Sequence, residues 1–229
     1  MDSVLITGAN RGIGLELAKR YAASGARVFA TCRIPQQAQA LRALAADAAN
    51  VSVHALEVTD GAAVDALRAE LADVSLDVLI NNAGIMGGER QGVSDMDYAA
   101  WAEAFAVNTM APFRLLAALR GNLQRASRPR AVTLSSQMGS LARKSAGAHA
   151  YRSSKAAVNK VMQVLALELQ ADGIIVCPVH PGWVRTDMGG QSASISVEES
   201  AQGLIDLIDG LEMAHSGRFW TWDGTEHPW

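Results

Sequence analysis

The sequence predicts an α/β fold, a doubly wound parallel sheet of about seven strands with helices on both faces. Three observations carry this expectation. Short apolar runs alternate with longer, Ala- and Leu-rich amphipathic stretches along the whole chain. The apolar runs are mostly continuous rather than alternating, as strands covered on both faces are. No Pro- or Ser-rich linker and no break in composition divides the 229 residues, so one domain spanning 1–229 is expected. Strand–helix repetition at this spacing makes right-handed βαβ units.

Taken in order, the first strand is the apolar run 4–6, which leads through a glycine-rich turn into a helix over 12–24. A second strand over 27–31 precedes a helix over 36–46, and a third over 51–56 precedes one over 61–72. The fourth strand, 77–80, is followed by a long amphipathic stretch, 96–125. Strand 130–134 then leads to helix 148–171, strand 174–179 to helix 197–211, and strand 218–222 closes the series. Two segments break the rhythm, 84–92 (GIMGGERQG) and 186–196 (TDMGGQSASIS). Each follows the carboxyl end of a strand, where ligands bind in open α/β sheets, and the second is read as a lid.

Hydrophobic residues make up 49% and charged residues 19%, enough for a substantial core and unlike a disordered chain. The formal net charge of −3 gives no electrostatic case for binding nucleic acid or an anionic membrane. No apolar run approaches the roughly 18 residues of a membrane span, and no basic stretch precedes an apolar one at the N-terminus. A cytoplasmic location is expected. Cys32 and Cys177 lie in separate strand-like runs, so buried free thiols are expected, with no disulfide framework and no metal site.

Directly after the first strand comes Thr7-Gly8-Ala9-Asn10-Arg11-Gly12-Ile13-Gly14. Three glycines let the backbone turn tightly and approach a pyrophosphate, and the following helix offers free N–H groups and its positive dipole end. In strand–turn–helix context this is the cradle of a Rossmann-type dinucleotide site, although Gly-x3-Gly-x-Gly matches the general fingerprint only loosely. Such sites usually end the second strand with an acid for the adenosine ribose. Here that end reads Thr31-Cys32-Arg33, and Arg11 lies in the glycine turn as well. Guanidinium groups pair bidentately with a 2′-phosphate, so NADP(H) is favoured and NAD(H) is the alternative.

The chain has three tyrosines and four lysines, and one pair reads Tyr151-Arg152-Ser153-Ser154-Lys155 in a helical segment. At i,i+4 both side chains share a helix face. Reducing a carbonyl requires a hydride on one side and a proton for the developing alkoxide. A phenol working near pH 7 needs about 4 kcal/mol of differential stabilisation of its phenolate, which a neighbouring ammonium supplies in sign. A serine hydroxyl, from Ser135-Ser136 after the fifth strand, can donate to the substrate oxygen as charge builds there.

With these motifs in this order the chain resembles a classical short-chain dehydrogenase/reductase over essentially its whole length. The resemblance assigns cofactor contacts to Gly8, Asn10, Arg11, Gly12, Ile13, Gly14 and Arg33, and to Asn82, Ala83 and Gly84 of Asn81-Asn82-Ala83-Gly84. It makes Ser136, Tyr151 and Lys155 the catalytic residues, the last two also touching cofactor. Asn108 would bend its helix and help hold a water at the lysine. Pro181, Gly182, Val184 and Thr186 would meet the nicotinamide end. Within the family, TGANRGIGLE, ATCR, AYRSSKAAVN, HPGWVRTDMGG and the Gly-Arg-Phe ending are similar to C-factor-like and sniffer-like carbonyl reductases.

Three features depart from the family pattern. Ser136 and Tyr151 are 15 residues apart, about two more than usual, so the loop between them must bulge and Ser135 is an alternative to Ser136. Glu57-Val58 stands where Asp-Val often contacts the adenine, and no long segment precedes the last strand, leaving the cleft open. His180 is assigned to packing, whereas Met86, Met138, Trp183 and Met188 are candidates to line an apolar pocket. Ser136 and Tyr151 would also touch the substrate. The helix with Tyr151 continues through Val158, Val161, Leu165 and Leu169, and in the family it often meets a partner, so a homodimer or homotetramer is expected. The expected function is hydride transfer between a nicotinamide cofactor and a small carbonyl or alcohol substrate. The competing expectation is a cofactor-binding regulatory or signalling protein with little turnover.

Overall fold

The computed structural model describes residues 2–229. Seven parallel strands form one sheet in the order β3-β2-β1-β4-β5-β6-β7. The strands are β1 (Ser3–Ile6), β2 (Arg27–Cys32), β3 (Val51–Ala55), β4 (Val78–Asn81), β5 (Arg130–Leu134), β6 (Ile175–His180) and β7 (Trp220–Thr221). The helices are α1 (Gly12–Ala23), α2 (Gln39–Asp47), α3 (Gly61–Glu70), α4 (Tyr98–Phe105), α5 (Ala111–Leu123), α6 (His149–Glu168) and α7 (Val197–Gly210).

Alternate strand residues feed two separate cores, as the two-residue period requires. Val4 and Ile6 of β1 join Leu17, Leu41 and Leu204 under α1, α2 and α7, while Leu5 joins Leu67, Leu115, Val158 and Met162 under α3, α5 and α6. Both faces are covered, which is why the strands read as unbroken apolar runs. Local signals fix the helix starts. Asp60 accepts from Ala62 N at 2.9 Å, Asp97 from Ala100 N at 3.0 Å, and Ser196 with Glu199 forms a capping box.

Three expectations need correction. The long stretch 96–125 is two helices, α4 and α5, joined by a π-helical segment, Ala106–Met110, that carries Asn108. Periodicity alone does not show a π turn, because one inserted residue barely disturbs the apolar pattern. The second helix starts at Gln39, since Pro35–Gln37 forms a 3₁₀ turn first, and the last strand has only two residues. Beyond it the chain turns back, with Thr221 N bonded to Thr225 O and His227 N to Phe219 O, so the tail covers the sheet edge.

The residues nominated for a subunit contact also fall elsewhere. Val158, Leu165 and Leu169 are buried in the core and Val161 packs against it. They lie at helical spacing on the sheet-facing side of α6, and the opposite side exposes Val164 and Leu167.

Candidate active site

The strand order reverses between β1 and β4, and the candidate residues gather at the carboxyl ends of the strands around that switch point. The two strand ends are stitched together. Thr7 Oγ1 accepts from the N–H groups of Asn82 and Ala83, both at 3.0 Å, and Asn82 Nδ2 donates to Thr7 O at 2.7 Å and Gly8 O at 3.1 Å. Gly8 and Gly12 have φ of +64° and +54°, which side chains disfavour. A Cβ on Gly14 would stand 2.5 Å from Asn82 Nδ2 and 2.6 Å from Gly8 O. α1 also begins without the side-chain cap that α3, α4 and α7 possess. Two glycines in the left-handed region and a third where a Cβ would clash, beside an uncapped helix start, fit the phosphates of a dinucleotide.

At the outer end of this cleft Arg33 is exposed and has no carboxylate partner among the described residues. Arg11 instead forms an exposed ion pair with Asp187 from the β6–α7 loop, and Asn10 beside it is exposed. Glu57 turns back on its own chain, accepting from Thr59 Oγ1 at 2.9 Å and Thr59 N at 3.2 Å, and the Val58 side chain lies in the core. Ile13 packs partly against the other core. These four side chains are therefore engaged within the protein, a detail their positions in the motif do not show.

Deeper in, Tyr151 and Lys155 lie on the buried side of α6, with Lys155 4% exposed. Lys155 Nζ donates to Leu134 O at 2.7 Å and sits 5.7 Å from the centre of the Tyr151 ring. Burial lowers its pKa to about 8. Burial also pushes the Tyr151 phenol up, with the Ser136 hydroxyl beside it pulling the other way. The expected lowering by the ammonium is thus not the controlling effect, because both groups are desolvated and the ammonium is turned toward a backbone carbonyl. The phenol therefore keeps its proton at neutral pH.

Of the two adjacent serines, Ser136 faces the phenol. Ser135 points into α6, where its Oγ donates to Asn159 Oδ1. The bulge between Ser136 and Tyr151 begins with a tight turn, Gln137–Gly139, and a Cβ on Gly139 would lie 2.6 Å from the Lys155 carbonyl carbon. Asn108 uses both ends of its amide, accepting from Ile85 N at 2.9 Å and donating to Ile85 O at 2.8 Å and Ser154 Oγ at 2.9 Å. Ser154 Oγ in turn donates to Tyr151 O at 2.8 Å. The π turn therefore couples the strand end at Gly84 and Ile85 to the helix of Tyr151 and Lys155.

On the opposite wall, Gly182 has φ of +90° and Pro181 O accepts from Ser200 Oγ at 2.6 Å. Val184 is buried and bridges to Ile195, which ties the two arms of the supposed lid together, and Thr186 lies across from Gly12. Trp183, Met188 and Met86 are 48%, 47% and 36% exposed on the loops around the mouth, and Met138 follows Ser136 half-buried. His180 is buried, its pKa lowered to about 4 by burial first and by His227 and Arg143, and its Nδ1 has no partner. That supports packing rather than proton transfer.

Sequence reasoning missed Gln91. Its Oε1 accepts from Ala150 N at 2.8 Å and its Nε2 donates to Met86 O and Gly88 O, so a glutamine from the β4–α4 loop caps the helix that presents Tyr151. α6 has no capping residue of its own, since Ala148 at its start is left-handed with φ of +51°. An Ala at a cap position is the one sequence signal that a distant group must serve.

A dinucleotide cradle at the switch point of a parallel sheet, facing a buried Tyr–Lys pair and a serine, defines a nicotinamide-dependent oxidoreductase. The family described as short chain dehydrogenase matches residues 2–195. The chain is similar to C-signal of Myxococcus xanthus, 43% identical over 155 residues, 67% of this chain and 93% of that protein. It is also similar to the crystal structure of NADPH-bound carbonyl reductase from chicken fatty liver, with TM-score 0.94, 35% identity and coverage of 100% and 99% of the two chains. Carbonyl reductase Sniffer of D. melanogaster matches with TM-score 0.94, 33% identity and full coverage of both chains. The chain belongs to the short-chain dehydrogenase family and is an NAD(P)-dependent oxidoreductase.

The buried ammonium gives a pH prediction. Lys155 is charged below about pH 8 and neutral above it, well before an exposed lysine would be. The kcat/KM for the nucleotide, which reports groups ionising in the free enzyme, is expected to decline as pH rises through about 8. A profile flat to about pH 10, the range of an ordinary lysine, contradicts this assignment.

Proposed function

We propose that this protein is an NADP(H)-preferring carbonyl reductase, one domain over 1–229, with Tyr151 as the general acid. The observation that carries the reading is the convergence of Ser136, Tyr151, Lys155 and Asn108 beside the glycine cradle. The cradle at Gly8, Gly12 and Gly14, with Asn82, Ala83 and Gly84 beneath it, would hold the cofactor's phosphates, and Pro181, Gly182, Val184 and Thr186 would flank its nicotinamide end. A reduced nicotinamide bound there supplies the hydride. Tyr151 gives its proton to the carbonyl oxygen as negative charge develops, and Ser136 donates a second hydrogen bond to the same oxygen. The Lys155 ammonium, held against Leu134 O and the Tyr151 ring, offsets the phenolate left behind. Asn108 keeps that geometry through Ile85 and Ser154. In the oxidative direction each proton runs backwards.

Preference for NADP(H) rests on Arg33, an exposed cation without a carboxylate partner among the described residues at the end of β2, where no acid stands to receive a ribose hydroxyl. Arg11 can join it by exchanging Asp187 for a phosphate. The apolar rim of Trp183, Met188, Met138 and Met86 suits a hydrophobic carbonyl compound. No helix among the described residues is long and apolar enough to cross a membrane, and a cytoplasmic location agrees with two buried free thiols. The likeness to C-signal keeps a second reading, a cofactor-binding signalling protein with little turnover, in view.

One assay separates them: nucleotide oxidation by the purified protein against aldehydes, ketones, quinones and 3-oxoacyl compounds. Turnover is expected, with NADPH preferred, and Arg33→Ala should lower efficiency with NADPH about tenfold or more while lowering it far less with NADH. A tenfold preference for NADH overturns the phosphate assignment, and tight nucleotide binding with no turnover favours the signalling reading. A homodimer or homotetramer would form on the α5–α6 side, where Phe113, Val164 and Leu167 are 48%, 40% and 73% exposed. Light scattering on the eluting protein should give a multiple of the chain mass, reduced to one chain by Leu167→Glu. A single-chain mass for the unaltered protein contradicts this assembly.

A further inference from the structure

The formal charge of −3 conceals a strong polarity along the chain. Residues 104–167 contain no aspartate or glutamate, yet they carry ten of the 20 lysines and arginines. Several of the ten are accounted for elsewhere. Arg120 and Arg130 have carboxylate partners, Lys155 is buried in the active site, and Arg114, Arg125 and Arg128 bond backbone carbonyls. Arg143, Lys144 and Arg152 stand apart by their place in the chain. All three belong to the segment that runs from Ser136 to the first turn of α6, and none has a carboxylate partner among the described residues.

We infer that the substrate carries a carboxylate remote from its reacting carbonyl, and that Arg143, Lys144 and Arg152 receive it. This rests on the carbonyl-reductase reading and names the substrate class of that site. The segment is built rather than loose at both ends. Arg143 N bonds Ser140 O, Ala142 N bonds Trp229 O at 3.0 Å, and Ser140 Oγ donates to Pro228 O at 2.8 Å, so the chain's own tail braces the turn. The Arg143 guanidinium bonds the side-chain oxygen of Gln137, the residue next to Ser136. Arg152, next to Tyr151, donates from Nε to Gly147 O at 2.9 Å. Neutral partners leave the remaining N–H donors of both guanidinium groups for an anion, and charge-assisted bonds to a carboxylate are about twice as strong as neutral ones. Asp223, whose charge acts on His180 in the opposite sense to that of Arg143, is tied to its own turn by Thr221 Oγ1 and Thr225 N. With Trp183, Met188 and Met86 supplying apolar contact, the ligand class is an oxo acid with an apolar spacer.

The test uses ω-oxo carboxylic acids of about four to ten carbons, each paired with its methyl ester, in the NADPH-dependent reaction. For at least one chain length the acid should be favoured in kcat/KM by about tenfold over its ester at low salt, and the preference should shrink as salt is raised. Arg143→Gln/Lys144→Gln should reduce the ratio to about two or less, Arg143→Lys should retain most of it, and Arg143→Glu should favour the ester. Because each ratio is taken within one sample, loss of folded enzyme cancels. Equal turnover of acids and esters at every length, or a ratio indifferent to these substitutions, overturns the inference and leaves the carbonyl-reductase reading intact. No turnover of any acid or ester, with aldehydes and ketones of the wider panel also inert, overturns that reading itself.

Discussion

A lysine ammonium buried to 4% exposure, with one backbone carbonyl as its hydrogen-bond partner, is the constraint on which the site depends. Burying a cation is costly, and here the cost shows as a pKa of about 8. The ammonium stays in place because its surroundings are over-determined. Leu134 ends β5, Gly139 lies too close to the Lys155 backbone to carry a Cβ, and Ser135 is bonded to Asn159 one turn further along α6. These contacts set the height of α6 over the sheet, and so the distance of the Tyr151 phenol from Ser136.

The same economy appears at the cofactor end. Two side chains, Thr7 and Asn82, make four of the bonds that join β1 to β4 at the point where the strand order reverses. Asn108 then spans from the chain just beyond β4 to α6, so the glycine cradle and the Tyr–Lys pair are two ends of one hydrogen-bonded frame. Backbone polar groups buried at the switch point are paired, and the pairing positions the chemistry.

Much of this was legible in the sequence. The seven strands and their helices follow from apolar period and from breaks at glycine and proline, and the glycine turn, Tyr151 and Lys155 stand out because the proposed phosphate binding and proton transfer call for those types at that spacing. What was not legible required contacts distant in sequence. The π turn at Asn108 leaves the helical pattern almost unchanged, and Gln91 caps a helix 58 residues further on. Which serine faces the phenol depends on strand phase at the end of β5, where one residue decides the face. The pairing of Arg11 with Asp187 joins residues 176 apart. The polarity of charge in 104–167 was hidden by averaging over the whole chain.

In the proposed mechanism Tyr151 transfers the proton in a site otherwise assembled without it. Tyr151→Phe keeps the ring against Lys155 and removes only the hydroxyl, so nucleotide binding, followed by quenching of protein fluorescence, should stay within a few-fold of the unaltered protein. Carbonyl reduction should fall by about 10²–10⁴-fold, the range of general acid catalysis. Turnover within a few-fold of the unaltered protein, with nucleotide still bound, would place the proton donor elsewhere and rule out Tyr151 as the general acid.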